Sequence, residues 1–185
     1  MDRRGFVRAA TVGAIGLAVP RLALASLARA LPLEELVGRS QHVLVGEPLD
    51  AESVWEQIGQ RKHIVTYTRV RALELLAGEA PKQDELLVRT LGGRVGDLGE
   101  LVHGEAMLTL GARGVVFVMP ARGALAVTAM AQGHYPLARD VAGAERLRRS
   151  PEAVELLGED GSAVKRLSGL QVPEARALMR QAVHQ

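Results

Sequence analysis

The chain has 185 residues, with 23 Lys+Arg, 21 Asp+Glu, no cysteine and five aromatic residues. The lack of cysteine excludes disulfides, thiol catalysis, iron–sulfur clusters and thiolate zinc sites. Residues 1–30 contain five arginines and one aspartate, which leaves 18 basic and 20 acidic residues, a net charge of −2, from Leu31 onward. Since the remaining chain is close to neutral, nothing in its composition favours nucleic-acid binding through a basic face.

The first 25 residues have the three parts of an export signal. Arg3 and Arg4 precede the uncharged run 9–20, and Ala23-Leu24-Ala25 forms a small-x-small cleavage site. A basic start, a short apolar middle and this ending are typical of a secretory signal. The apolar run is too short to span a hydrocarbon core of roughly 30 Å as a helix. We therefore predict a cleaved signal over residues 1–25, with no permanent membrane anchor.

The paired arginines resemble the bacterial twin-arginine translocation signal. Arg3, Arg4 and Phe6 match its pattern, whereas Asp2 departs from it at the first position. The resemblance implies folding in the cytoplasm, export to the periplasm or beyond, and membrane contact only through the export machinery. The alternative is an ordinary signal peptide that contains two arginines. Cleavage as late as Ala30 also remains open, because Ala28-Arg29-Ala30 is a second small-x-small site.

One domain is predicted over residues 31–185. The spacing of Leu33, Leu36 and Val37 indicates a short helix at its start. Apolar and β-branched runs then predict strands, with a bulge or strong bend near Ala72 where the alternation slips. These strands cover residues 41–49, 53–58, 63–76, 86–91, 100–110, 115–119 (as the central strand), 125–129 and 135–140.

The C-terminal segment 150–185 has a different pattern. Ser150-Pro151-Glu152 is a helix-start signal, and Gly158 is placed to end that short helix. Residues 158–169 are polar and predict a loop or weak hairpin. Pro173 and Glu174 open an amphipathic helix whose apolar positions repeat at helical spacing. The predicted fold is mainly β, a small OB-like or netrin-like barrel of short antiparallel strands with helices near both ends.

Several short motifs resemble a family of uncharacterised exported bacterial proteins. They are Val43-Leu44-Val45-Gly46, the run from Thr66 to Val70 with Leu75-Leu76-Ala77-Gly78, Gly92-Gly93, and Ala131-Gln132-Gly133. The strand pattern is also similar to netrin-like domains, which include inhibitors of metalloproteinases. Those inhibitors bind the protease zinc through an amino-terminal cysteine, which this chain lacks. Only the barrel architecture is therefore implied, and fold does not determine function.

The glycine-rich stretch from Gly92 to Gly99 is the most distinctive local feature. One interpretation is a loop whose backbone amides approach an anionic ligand, assisted by Arg94. The other, which we favour, is a set of turn glycines at a barrel corner. The spacing matches neither a P-loop nor a dinucleotide fingerprint, so no cofactor is predicted. The candidate ligand-binding residues here are Gly92, Gly93, Arg94, Gly96 and Asp97.

His103 and Glu105 share one face of the predicted strand 100–110. They are candidates for a ligand, a metal or acid–base chemistry, with a third metal ligand from Asp97 or His134. A solvated strand face is the simpler interpretation, and we assign no metal site and no catalytic residue. Trp55 is either a core residue or an exposed anchor for a partner.

Three functions remain open at this stage. The leading hypothesis is an exported, non-enzymatic module that binds another envelope or secreted protein. The second is a metal-dependent or acid–base enzyme that uses the 100–110 strand face. The third, which depends only on the netrin-like resemblance, is a regulator or partner of a secreted protease.

Overall fold

The computed structural model describes residues 28–183 and is mainly β, which confirms the predicted fold class. The predictions for Arg3, Arg4, Phe6, Ala23 and Ala25 lie outside the described residues. The strands are β1 (Ala28–Arg29), β2 (His42–Ile58), β3 (Arg61–Gly78), β4 (Glu85–Leu91), β5 (Gly93–Val95), β6 (Leu98–Glu100), β7 (Gly114–Ala121), β8 (Ala124–Val127), β9 (His134–Arg139), β10 (Glu145–Leu147) and β11 (Leu156–Leu157). The helices are α1 (Leu33–Gly38), α2 (Ala163–Leu167) and α3 (Val172–Val183), with a 3₁₀ turn at Met130–Gly133.

A long hairpin of β2 and β3 forms the centre of the sheet. The two segments predicted as separate strands, 41–49 and 53–58, are one strand of 17 residues, since a register shift between Pro48 and Asp50 lets pairing continue. Two further shifts leave Leu73 and Leu76 of β3 without a register partner. These irregularities confirm the bend predicted near Ala72, because each extra residue bends the strand and re-aims its side chains.

The sheet is barrel-like. Its order is β10-β9-β7-β2-β3-β4-β8, and β8 also pairs with β7, so five strands pair in a ring. β7 achieves this by pairing along one edge with β9 at residues 114–116 and with β8 at residues 118–121, while its other edge pairs with β2. The β4–β8 pair is parallel, and the other pairs of the ring are antiparallel.

β7 separates two hydrophobic cores, because successive side chains of a strand point to opposite faces. Val116 and Val118 enter the inner core, which is enclosed by the ring of strands. Val115 and Phe117 enter the outer core between the sheet and the helices. The inner core consists of Val70, Val88, Ala106, Val116, Val118 and Val127. The outer core is larger and includes the fully buried Leu33, Leu36, Tyr135, Leu147, Leu167 and Met179.

The helices at the two ends of the domain pack on this outer face. The predicted short helix is α1, which buries Leu33, Leu36 and Val37, and the predicted amphipathic helix is α3, which buries Ala175, Met179 and Ala182. A salt bridge between Arg176 and Glu74 joins α3 to β3. No helix within residues 28–183 is both long enough and apolar enough to cross a membrane.

Two predictions for the segment after residue 150 are wrong. Residues 150–153 form a turn closed by the Ala153 amide and the Ser150 carbonyl (3.1 Å) rather than a helix. The helix lies instead in the segment predicted as a loop, where the Ser162 hydroxyl accepts a hydrogen bond from the Lys165 amide (3.1 Å). Ser162 is therefore the effective N-cap because its side chain satisfies an amide that the first helical turn leaves unpaired.

Candidate functional site

The predicted strand 100–110 is the main error at the candidate site. β6 ends at Glu100, and residues 101–113 form a loop with a left-handed Gly104 (φ +81°). Ala106 is nevertheless buried in the inner core, and Val102 and Leu108 are half-buried. The apolar alternation thus reflects side chains inserted into the open end of the ring rather than pairing with a neighbouring strand. His103 and Glu105 consequently do not share a strand face.

This loop covers a cavity of about 220 Å³ at one end of the ring, which we call the mouth cavity. Its inner wall carries three threonine side chains, Thr66 and Thr68 from β3 and Thr90 from β4. Leu101 and Met107 lie at its rim and are 67% and 54% exposed. Thr66 and Thr68 lie on the same face of β3 as the buried Val70, and Thr90 lies on the same face of β4 as the buried Val88. The cavity therefore combines polar walls with an exposed apolar rim.

Gly92 and Gly93 form one side of the mouth cavity. Both have positive φ values, +89° and +133°, which residues with a side chain rarely adopt. A Cβ atom on Gly93 would lie 2.3 Å from the Thr66 hydroxyl, and one on Gly92 would lie 2.7 Å from the Glu100 carbonyl oxygen. The chain needs glycine here because backbone passes directly against the wall of the ring.

Glu105 lies half-buried in the mouth cavity. Its Oε2 accepts a hydrogen bond from the Leu91 amide (3.2 Å), and its Oε1 accepts one from the Ala106 amide (3.0 Å). Burial raises the pKa of Glu105 above its ordinary value, and the two amide hydrogen bonds and the charge of Arg89 act in the opposite direction. This carboxyl group holds the loop against β4, and it faces the cavity.

Glu100 connects the loop to the end of the long hairpin. Its two carboxyl oxygens contact His63 Nδ1 and the Ile64 amide, each at 2.6 Å. The hydrogen bond with His63 is the largest cause that lowers the pKa of Glu100, followed by that from Ile64. These contacts fix the position of β6 beside the mouth cavity, which Glu100 also lines.

Arg94, Gly96 and Asp97 belong to the β5–β6 hairpin and do not line the mouth cavity. The Arg94 Nε donates to the Gly96 carbonyl (3.0 Å), and the Arg94 amide donates to the Ser53 hydroxyl (3.4 Å). The Gly92 amide donates to the Ile64 carbonyl (2.8 Å). These donors therefore already have partners within the protein. They do not converge on a common site for an anion, as the anion-binding interpretation of the glycine-rich stretch requires.

His103 is exposed and lines a second cavity of about 310 Å³ with Ala28, Met130 and Val154. Ala129 and Met130 border it with positive φ values of 55° and 57°. His134 lies elsewhere, with its side chain buried in β9, and desolvation lowers its pKa to about 4. Within residues 28–183, no group of three or more His, Asp or Glu side chains is arranged to hold a metal ion.

Trp55 is 46% exposed on β2, where it pairs in register with Ile64. Ser53, two residues away on the same face, hydrogen-bonds to Thr66 (2.8 Å) beneath Gly93. Trp55 thus lies two residues from Ser53, which contacts the cavity-lining Thr66, but Trp55 itself does not line the mouth cavity. It is not one of the fully buried core residues.

The Ala131-Gln132-Gly133 motif has a structural role. The buried Gln132 accepts a hydrogen bond from the Leu31 amide (3.0 Å) and donates one to the Arg29 carbonyl (3.1 Å). A Cβ atom on Gly133 would lie 2.1 Å from the Thr128 carbonyl oxygen. The motif therefore fixes the start of the domain to the sheet, an arrangement that we call the Gln132 clamp.

The structure brings Gly92, Gly93 and Glu105 together around the mouth cavity, out of the seven predicted ligand-binding residues. The threonines, the rim residues, Glu100 and Glu152 also line this cavity but are not among the site residues predicted from the sequence. A sequence signal for the threonines exists, because they put hydroxyl groups on the same strand faces as the buried Val70 and Val88. The rim residues Leu101 and Met107 carry no such signal, since the sequence pattern over residues 100–110 predicts a strand and not a loop.

No protein-family model, curated protein or solved structure matches the chain, so the functional argument depends on the geometry of the mouth cavity.

Proposed function

We propose that the protein is an exported, non-enzymatic binding module of the cell envelope, and that another envelope or secreted protein docks at the mouth cavity. The observation that carries this proposal is the exposure of Leu101 and Met107 around a cavity with convergent polar groups. Exposed apolar side chains around a polar cavity are typical of binding sites. A partner that covers the rim buries apolar surface, and its polar groups can hydrogen-bond to the wall of the cavity.

The polar groups of the cavity favour binding over turnover. Each oxygen of Glu105 accepts a backbone amide, and the oxygens of Glu100 contact His63 and the Ile64 amide. Among residues 28–183, neither carboxyl hydrogen-bonds to a serine or threonine hydroxyl that it could activate as a nucleophile. The enzyme hypothesis was based on a strand face over residues 100–110 that carries His103 and Glu105. Residues 101–110 form a loop, so that strand face does not exist.

The start of the folded domain supports cleavage of the signal after Ala25. Ala28 and Arg29 form β1, Ala30 is 7% exposed, and the Gln132 clamp binds on both sides of Ala30. A protein that folds before export would bury the alternative cleavage site at Ala30. We therefore expect the exported protein to begin at Ser26, which intact mass measurement checks; a mature chain that begins at Leu31 would contradict this assignment.

The docking proposal is tested by polar substitution of the rim. The double variant Leu101→Ser/Met107→Ser removes the apolar contact while leaving the cavity walls in place. Val141→Ser is the matched control, because Val141 is fully exposed in the turn after β9. Capture of envelope proteins by the immobilised mature domain should fall at least tenfold for the rim variant and stay unchanged for the control, by quantitative mass spectrometry.

Equal capture by the rim variant, the control and the wild type would rule out docking at the mouth. A turnover activity that is lost on Glu105→Gln but retained in the rim variant would replace the binding proposal with an enzyme.

A further inference from the structure

The long hairpin of β2 and β3 has one unpaired edge. β2 pairs with β7 only over residues 42–46, and the Gly111 amide then donates to the Pro48 carbonyl (2.8 Å). Among residues 28–183, no strand pairs with the outer edge of β2 over residues 50–58. An unpaired strand edge is a template for another strand, because its free amide and carbonyl groups can continue the sheet.

The backbone hydrogen bonds of Ile64 show which groups point to this edge. The Ile64 carbonyl accepts from the Gly92 amide (2.8 Å), and the Ile64 amide donates to Glu100 (2.6 Å), so both groups point away from β2. Trp55 is the register partner of Ile64 and therefore directs its own amide and carbonyl to the outer edge. By alternation the same holds for Ala51, Ser53 and Gln57. None of these backbone groups has a hydrogen-bond partner within residues 28–183.

A second copy of the chain fits this edge in one antiparallel register. The free edge runs over residues 50–60, from the last register shift of β2 to the hairpin turn, and its midpoint is Trp55. Two copies therefore overlap fully when a two-fold axis passes beside Trp55. The two tryptophans then lie opposite each other, and Ser53 lies opposite Gln57. In this register no acidic side chain is directly opposed to another.

The neighbouring registers are less favourable. A shift of two residues, the smallest that keeps donors and acceptors matched, places Glu52 opposite Glu56 in one direction and Glu56 opposite its own counterpart in the other. Directly opposed like charges destabilise a strand pair, whereas opposed aromatic side chains stabilise it. Arg89 partly offsets the charge of Glu56, so the longer overlap and the aromatic pair also contribute to this choice. Together they favour the register centred on Trp55.

We infer that two copies of the exported domain associate by antiparallel pairing of β2 with β2, with Trp55 of each copy beside Trp55 of the other. The backbone groups of the free edge supply the hydrogen bonds, and the two-fold axis makes the interface self-complementary. Trp55 does not line the mouth cavity, so this pairing is tested separately from docking at the mouth.

Proline substitution tests the edge without altering the pairing of the hairpin. Gln57→Pro removes an amide that points to the free edge and places a ring against the other copy. Lys62→Pro is the matched control, because Lys62 is the register partner of Gln57 and its amide points to the opposite edge of the hairpin. Analytical ultracentrifugation of the mature domain should show a concentration-dependent dimer for wild type and Lys62→Pro.

The dimer dissociation constant of Gln57→Pro should rise at least about tenfold, since each copy loses a hydrogen bond to the other. A wild-type protein that stays monomeric, or a dimer that is equally stable in Gln57→Pro and Lys62→Pro, would overturn the inference.

Disulfide trapping tests the register. The chain has no cysteine, so a single-cysteine variant reports only its own contact. In the inferred register the Cα atoms of the two copies of residue 55 lie about 5.5 Å apart, within the range that a disulfide spans. Trp55→Cys should therefore give a covalent dimer under mild oxidation. Glu52→Cys should not, because its two copies lie roughly 20 Å apart at about 3.4 Å per residue. Equal cross-linking at the two positions, or none at position 55, would overturn the inference even if Gln57→Pro fails to fold.

Discussion

The two cores of this domain are built from the same strands but have different contents. The outer core buries large side chains such as Phe117, Tyr135 and Met179 between the sheet and the helices. The buried residues of the inner core are five valines and one alanine, with the half-buried Leu108 and Leu125 packed against them, and this core ends in the threonine wall of the mouth cavity. β7 supplies both cores with alternate residues. The contrast suggests that the outer core provides most of the stability, whereas the inside of the ring keeps space for a ligand.

The largest expected effect is in the outer core. Phe117→Ala should lower the free energy of unfolding by about 3–5 kcal/mol, because it removes a fully buried ring that contacts Tyr135 edge to face (ring centroids 5.9 Å apart). Val118→Ala, one residue along in the inner core, should cost about 2 kcal/mol. Urea denaturation measures both. A larger loss for Val118→Ala would reverse the assignment of the two cores.

The next effect is a pH dependence that arises at His134. Folded His134 takes up a proton only near pH 4, whereas its ordinary pKa is 6.5, so the unfolded chain binds more protons between these values. Lowering the pH through this window therefore stabilises the unfolded state, and the difference amounts to about 3 kcal/mol. The acidic groups whose pKa is lowered in the folded state, such as Glu56 and Asp140, contribute mainly below about pH 4.5.

The pH effect is measured by denaturation of wild type and His134→Leu between pH 7 and pH 4. The variant should lose most of the slope in this window, while the control His103→Gln, at an exposed side chain, should retain it. An unchanged slope in His134→Leu would mean that another group carries the effect.

A smaller effect is expected at the Gln132 clamp, which holds the start of the domain to the outer face. Gln132→Leu should cost about 2 kcal/mol, since the buried Leu31 amide loses its acceptor. Gln57→Leu is the matched control at an exposed glutamine that bonds to the Gly59 carbonyl, and it should change stability by less than about 0.5 kcal/mol. Equal losses in the two variants would show that the clamp does not stabilise the domain.

The sequence predicted the paired strands better than the residues between them. The alternation along residues 63–76 predicted the strand β3 and the bulge near Ala72, because strand periodicity is a local property. The loop 101–113 has the same alternation, but its apolar side chains fill the open end of a ring formed by distant strands. Nothing local separates these two cases, so the sequence assigned a strand and placed His103 and Glu105 on one face.

The candidate site was predictable to the same limited extent. Gly92 and Gly93 stood out because glycine pairs indicate unusual backbone, and they do border the mouth cavity. The cavity itself depends on Glu105 reaching the end of β4 and on Leu101 and Met107 remaining exposed. Both depend on the path of the loop across the ring, which no single segment encodes.

The most direct test of the mouth as a docking surface is photo-crosslinking in exporting cells. A photoreactive amino acid in place of Leu101 should give a discrete adduct with another envelope or secreted protein, and the same replacement at Val141 should give none. Absence of an adduct at position 101, or the same adducts at both positions, would contradict docking at the mouth.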